Sequence, residues 1–235
     1  MESPGGLAEE WVSVQQVLAK IIPVYDRMNK IMSLGRDTSF RRDGLQKGLR
    51  PADRVLDAGA GPGRMTEIAL ENLPNLEEIV MIDPMKMMLE ESKERVRDPR
   101  ISRLVAVFEN LPFRDSVFDS AMCGFSLRDA RHLNNAIAQL TRVLDQNSGR
   151  LIVIDLGKPN SSLARFFIAA YWKAVVPFLG LLFTGTRGLL YYALYKTYRK
   201  LPTNAALIQK FELAFRSVHL EERMLGGAII LVAEK

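Results

Sequence analysis

The chain has 235 residues, 48 % of them apolar and 25 % charged, a make-up that excludes disordered and fibrous classes. A formal charge of +5 and a pI near 9.4 are only mildly basic. They fit a solvated surface, or secondarily an affinity for anionic ligands or an anionic membrane face, and give no reason to expect nucleic acid. The single cysteine, Cys123, excludes an intrachain disulfide framework and points to a reducing, cytoplasmic setting. The start, "MESPGGLAEEW", has neither the basic nor the apolar region of a signal peptide.

Leu7 to about Gly35 reads as helix, with Val14, Val17, Leu18, Ile21 and Ile22 at helical spacing and a break at Pro23. A linker rich in Arg, Asp and Gly then reaches Pro51. From there strand and helix signals alternate. "RVLDAG" is a strand and Met65–Leu73 a helix; "EIVMIDP" is a strand and "MKMMLEESKERV" a helix. "ISRLVAVFE" and the apolar run "FDSAMCGFSL" are strands, "NNAIAQLTRVL" a helix and "GRLIVIDL" a strand. Such alternation predicts a parallel sheet covered on both faces. After Gly157 the sequence turns helical and aromatic to about Phe215. It closes with "RSVHLEERML" and "GAIILVAEK", read as a hairpin around Gly226-Gly227. The whole predicts one domain over 1–235, with an N-terminal helical lid, 7–50, and a helical insert, 161–212.

Within the insert, the uninterrupted apolar run Ala174–Phe183 is about half a bilayer span. Lys173 and Arg187 flank it and Pro177 should kink it, so a buried or interfacial helix pair is expected in preference to a transmembrane span. Phe166, Phe167, Tyr171, Trp172, Tyr191, Tyr192, Tyr195 and Tyr198 are interspersed with Lys173, Lys196, Arg199 and Lys200. That mixture suits either a helical cap on the sheet or a groove for a greasy acceptor with peripheral membrane contact through 161–200, on the cytoplasmic face.

The chemistry centres on "RVLDAGAGPGRM". Gly59, Gly61 and Gly63 allow backbone to approach a ligand where an open α/β sheet binds one, beyond the end of the first strand. Dinucleotide sites space their glycines G-x-G-x-x-G; this turn is D-x-G-x-G-x-G. Asp57 would repel a pyrophosphate and welcome a cationic amine. Asp83, 24 residues after Gly59, ends the second strand and can accept both hydroxyls of a ribose. S-adenosylmethionine has the amine, the ribose and a sulfonium, and no phosphate. A purely structural strand–helix turn is the competing reading of the glycines alone.

These motifs resemble class I S-adenosylmethionine-dependent methyltransferases from Pro51 to the C-terminus, through "FENLPFRDSVFDSAMCGFSLR" and "LTRVLDQNSGRLIVIDLGKP" as well as the turn. The resemblance implies a Rossmann-like α/β fold, a seven-stranded mostly parallel sheet with its last strand antiparallel. A narrower resemblance, to the ubiquinone/menaquinone biosynthesis C-methyltransferase family, rests on "YDRMNKIMSLGRDTSFRR", on "FSLRD" against that family's G-x-R-N, and on "IDLGKP" against its E-F-S-x-P. The "VVPFLG…YYALYKTYRKLP" insert and the ending "GGAIILVAEK" match in order and spacing. Asp129 stands where the family usually has Asn, and Val107 where relatives often have an adenine-contacting Asp or Asn.

The resemblance implies methylation of a ring carbon on a polyprenylated hydroquinone, with S-adenosylmethionine as donor. Another lipid or small acceptor, such as a phospholipid amine, and a non-catalytic nucleotide-binding or scaffolding protein are the competing classes. The donor contacts it implies are Asp57, Gly59, Ala60, Gly61, Gly63 and Asp83, with Pro84 and Met85 next to them. The adenine contact falls to Glu109 or a group near Asn110. Arg128 is expected to stabilise the acceptor's phenolate, since a fixed cation lowers a neighbouring phenol's pKa. Tyr25 and Asn29 share a helical face that either covers the donor or simply faces solvent. Asp129, Asp26 or water would take the proton. His132 reads as a surface histidine at a helix end, with a role as base the competing reading; His219 reads as structural, Cys123 as core, and Met81, Met85, Met87 and Met88 as packing in preference to a substrate groove. No His/Cys/Asp/Glu cluster has metal-ligand spacing. The sequence carries no signal for oligomeric state.

Overall fold

The computed structural model describes residues 5–21, 24–186, 190 and 192–235. Seven strands form one sheet: β1 Arg54–Ala58, β2 Glu78–Asp83, β3 Ile101–Val105, β4 Ser120–Gly124, β5 Arg150–Leu156, β6 Ser217–Arg223 and β7 Ala228–Glu234. Their order is β3-β2-β1-β4-β5-β7-β6, with β7 antiparallel to both of its neighbours and the rest parallel. The hairpin read from the C-terminal runs is therefore β6–β7, and β7 inserts between β5 and β6. The direction of winding reverses between β1 and β4, which opens a crevice at their carboxyl ends.

Side chains alternate across the strands, so each strand feeds two cores. Leu56, Val80, Ala121 and Val153 pack against α6 (Leu133–Val143) and α10 (Asn204–Glu212). Val55, Met81, Met122 and Ile152 pack on the other face, against α3 (Asp37–Gly48), α4 (Arg64–Asn72) and α5 (Lys86–Arg95). Met81 and Met88 are core residues as expected, whereas Met87 is exposed.

The segment expected to be a linker before Pro51 is helix α3. Its glycines explain both the misreading and the fold. A Cβ on Gly48 would lie 2.2 Å from Ile152 Cγ1, and one on Gly44 2.8 Å from Ile154 Cδ1. With Phe40 they form one stripe at a spacing of four. The glycines let the helix lie directly on the sheet, and burial outweighs their poor helix propensity of roughly 1 kcal/mol each.

Upstream, α1 (Trp11–Ile21) and α2 (Tyr25–Met32) are separate helices on either side of the expected break; Pro23 itself lies outside the described residues. In the insert, α7 (Ser162–Ala170) continues through a π turn at Tyr171–Val175 into α8 (Val176–Thr184). The kink expected at Pro177 is thus a local widening just before it, where a proline ring crowds the carbonyl four residues back. Ser162–Thr184 is one helix of 23 residues that extends well beyond the uninterrupted apolar run Ala174–Phe183 within it, and is long and apolar enough to cross a membrane. With α2 and α9 (Tyr192–Lys200) it builds a third core around Met28, Trp172, Val176 and Tyr198.

Candidate active site

Beyond β1 the chain turns through three left-handed glycines, Gly59 (φ 69°), Gly61 (φ 54°) and Gly63 (φ 85°), the last of which caps α4. Gly59 is pressed against the end of β4: a Cβ there would sit 2.5 Å from Ser126 Cβ. Gly61 is different. Among the described residues nothing lies within 4 Å of where its Cβ would be, because that side opens into a cavity of about 550 Å³. Asp83 closes the same cavity from β2. Its Oδ2 accepts from Gly61 N–H at 3.0 Å and its Oδ1 from Met85 N–H at 2.8 Å. Burial pushes its pKa up to about 6, although the two amide donors pull the other way.

Asp57 lies beneath the turn, fully buried, and does not line the cavity. Burial raises its pKa to about 7 against the opposing pull of Thr66, whose hydroxyl donates to Oδ2 at 2.6 Å, and of Arg41. Its Oδ1 has no hydrogen-bond partner among the described residues. Pro84, Met85 and Glu109 line the cavity, but Ala60, Gly63 and Asn110 do not. Glu109 is already engaged: its Oε1 accepts from the N–H groups of Arg131 (2.6 Å) and His132 (3.0 Å) at the start of α6.

A second cavity, also about 550 Å³, lies between α2, α3 and the insert. Asn29, Phe40, Ile168, Tyr171, Trp172 and Arg128 are among its walls, and it is mostly apolar. Tyr171 donates its hydroxyl to Met32 O at 2.8 Å, tying the insert to α2. Asn29 thus faces this cavity and not the first one, and the Tyr25 and Asp26 side chains lie outside the described residues. Phe125 borders both cavities. It holds φ at 60°, unusual for a bulky residue, with the Arg41 guanidinium 4.8 Å from its ring centre.

Consecutive residues serve the two sides. Arg128 faces the second cavity and Asp129 the first. Arg128 Nη1 donates to Asp155 Oδ1 at 2.7 Å and to Phe125 O at 2.6 Å, and Nη2 lies 3.6 Å from Asp129. Asp129 is pushed up to about 6, chiefly by burial, with Arg128 opposing and Asp155 and Asp83 adding to the rise. Its Oδ1 lacks a hydrogen-bond partner among the described residues.

The remaining candidates are set apart. His132 is exposed, and His219 is exposed on β6 beside Glu221. Burial holds the Cys123 thiol well above its ordinary range, so it is an inert core residue. Among the described residues no three His, Cys, Asp or Glu side chains could hold a metal.

The model of the ubiE/COQ5 methyltransferase family matches residues 6–235. The chain belongs to that family. A ubiquinone/menaquinone biosynthesis C-methyltransferase UbiE of Citrifermentans bemidjiense is 31 % identical over 179 residues, 74 % of this chain and 76 % of that one. A demethylmenaquinone methyltransferase of Symbiobacterium thermophilum is 29 % identical over 71 % of this chain and 68 % of its own length. Among solved structures, an S-adenosylmethionine-dependent methyltransferase of Thermotoga maritima superposes with a TM-score of 0.64. It shares 17 % identity and covers 94 % of this chain and 98 % of its own. The chain is accordingly an S-adenosylmethionine-dependent methyltransferase with the Rossmann-like fold.

The residues present fit that donor. The buried, unpartnered oxygen of Asp57, the open side of Gly61 and the Asp83 carboxylate offer what an amine and a ribose need. Sequence reading missed other walls of the first cavity. Trp11, Gln15 and Leu18 of α1 line it, and no residue of α2 does among the described residues. Trp11 is held by Arg131, whose guanidinium carbon is 3.8 Å from the indole centre. The apolar spacing of Val14, Val17, Leu18, Ile21 and Ile22 marked a helix, but no local signal said which cavity it would cover. Phe108, Phe125 and Ser126 also line it, brought there by β4 and the loop after β3.

Proposed function

We propose that this ubiE/COQ5-family enzyme methylates a ring carbon of a polyprenylated hydroquinone in the cytoplasm, at a membrane face. The observation that carries the reading is the pair of cavities divided by Phe125: one has the glycine turn and carboxylates, the other is apolar and aromatic. The names of the relatives from C. bemidjiense and S. thermophilum support a quinone-type acceptor. When bound, S-adenosylmethionine supplies an electrophilic methyl group.

Asp83 accepts the ribose hydroxyls, and Asp57, buried beneath the turn, favours the donor's cationic amine through its charge. The rim at Pro84, Met85 and Glu109 receives the adenine. On the other side, Arg128 and Asn29 face the acceptor's oxygen, and Tyr25 belongs to the same helix. A cation there favours the ionised phenol, which raises electron density at the ring carbon. That carbon gains the methyl and then loses its proton. Asp129, held near pH 6 and 3.6 Å from Arg128, is a base matched to that task. The N-terminal helices act as a lid, and holding the reactants close and in line supplies much of the rate.

The test is to incubate the purified enzyme with isotope-labelled S-adenosylmethionine and prenylated hydroquinones in detergent micelles, then locate the label by mass spectrometry. Label on a ring carbon is expected. Label on a phospholipid amine, or donor binding without transfer to any hydroquinone, overturns the acceptor assignment.

A further inference from the structure

The insert is charged on one sign only. Residues 156–211 contain eight Lys or Arg and no Asp or Glu, whereas the whole chain has 32 basic and 27 acidic residues. The rest of the molecule therefore carries more acid than base, and the positive charge gathers on this segment.

The helix Ser162–Thr184 has two unlike faces. Trp172 and Val176 are buried against α2 and α9, and Ile168 and Tyr171 join Trp172 in the wall of the apolar cavity. On the opposite side Leu163, Phe166, Phe178 and Leu182 are each more than 60 % exposed, with Phe167 and Leu181 beside them. Only 17 % of the helix's most apolar 18-residue window is buried. Lys173 is exposed within the same helix, and Lys196 and Arg199 are exposed on α9, which packs against it, with Glu10 close to the latter two.

We propose that the outer face of the helix Ser162–Thr184 docks in the plane of an anionic lipid bilayer and so sets the apolar cavity at the lipid surface. Bulky exposed apolar side chains on a segment that carries cations and no acid of its own are what an interfacial helix requires. Each juxtamembrane cation adds attraction to anionic headgroups. A spanning pose is disfavoured because it would pull Trp172 and Val176 out of their core and dismantle the cavity wall. A second copy is a poor occupant, since a two-fold contact would bring two acid-free basic segments together. The inference deepens the proposed acceptor: one helix meets the lipid with its outer face and walls the cavity with its inner face, leaving a short path for a polyprenyl tail.

Vesicle flotation without any acceptor tests the surface independently of the reaction. The wild-type protein should float with phosphatidylcholine vesicles containing phosphatidylglycerol, bind phosphatidylcholine alone at least tenfold less, and come off in high salt. A Phe166→Ser/Phe167→Ser/Phe178→Ser variant should lose at least tenfold in bound fraction while its donor affinity, and its turnover of a short-tailed acceptor in solution, stay unchanged. Equal binding to neutral vesicles, release by detergent alone, or a wild-type dimer that the variant makes monomeric would each overturn the proposal. Flotation as expected with no hydroquinone methylated would leave this surface standing and remove only the acceptor.

Discussion

Arg128 and Asp155 clasp each other twice: the guanidinium donates to Oδ1 at 2.7 Å and the Arg128 backbone N–H to Oδ2 at 3.0 Å. Both side chains are almost fully buried, at 6 % and 5 % exposure. The arginine expected to act on the acceptor is therefore also a structural ion pair that fixes the loop after β4. Removing it leaves a carboxylate buried without its counter-charge.

Arg128→Ala should thus lose about 3–5 kcal/mol of stability, as broken buried pairs do. Turnover should fall on the order of a hundredfold where the protein remains folded, with donor affinity little changed. Arg128→Lys keeps charge but not the fork, and should sit between. Urea denaturation beside steady-state kinetics separates the two effects. Full stability in Arg128→Ala would deny the ion pair its structural part, and full turnover would deny the catalytic one.

Asp83 bridges Gly61 and Met85 through one oxygen each. Asp83→Ala should weaken S-adenosylmethionine binding by about 1.5–3 kcal/mol, the effect of losing hydrogen bonds to a charged group. Titration calorimetry reads this directly. Unaltered affinity would dismiss Asp83 as the ribose ligand.

Gly59 and Gly61 of the turn should fail differently. Both hold left-handed φ, a strain of roughly 1–2 kcal/mol for any side chain. In Gly59→Ala the new methyl would also meet Ser126 at 2.5 Å, so the fold itself should suffer most. In Gly61→Ala the methyl enters open cavity, and donor affinity should drop more than the melting temperature. A Gly61→Ala protein that bound donor normally would show that the donor does not occupy that space.

What could be read in the sequence was local. The strand–turn–helix around Gly59, Gly61 and Gly63 and the acid ending β2 declare themselves within a few residues, because strand, turn and cap chemistry act at that range. Helix α3 was hidden because Gly44 and Gly48 spell linker until the isoleucines of β5 beneath them are known. Asp155 is 27 residues from Arg128, and Trp11 reaches the donor-side cavity by stacking on Arg131. Such partnerships are decided by strand order and packing, which no window of sequence contains.

Burial raises Asp57 to about 7, and Asp83 and Asp129 to about 6, from the ordinary carboxylate value of 3.8. Between that ordinary value and the raised one, the unfolded chain has lost protons that the folded protein retains. With fewer protons bound when unfolded, stability falls as pH rises, so these three groups destabilise the donor-free enzyme progressively from about pH 4 to about pH 7. Asp98 and Asp145 are held below the usual range by hydrogen bonds and act oppositely, losing their contribution only in more acidic solution. A cationic donor favours the ionised carboxylates. Its binding should therefore release protons near about pH 6.5, and its affinity should increase from about pH 5.5 to about pH 8. Calorimetry in two buffers of different ionisation enthalpy counts the protons. Asp57→Asn and Asp129→Asn should each lower the count and flatten the pH dependence of affinity. A wild-type count of zero would mean that these carboxylates are either ionised before the donor arrives or remote from its charge.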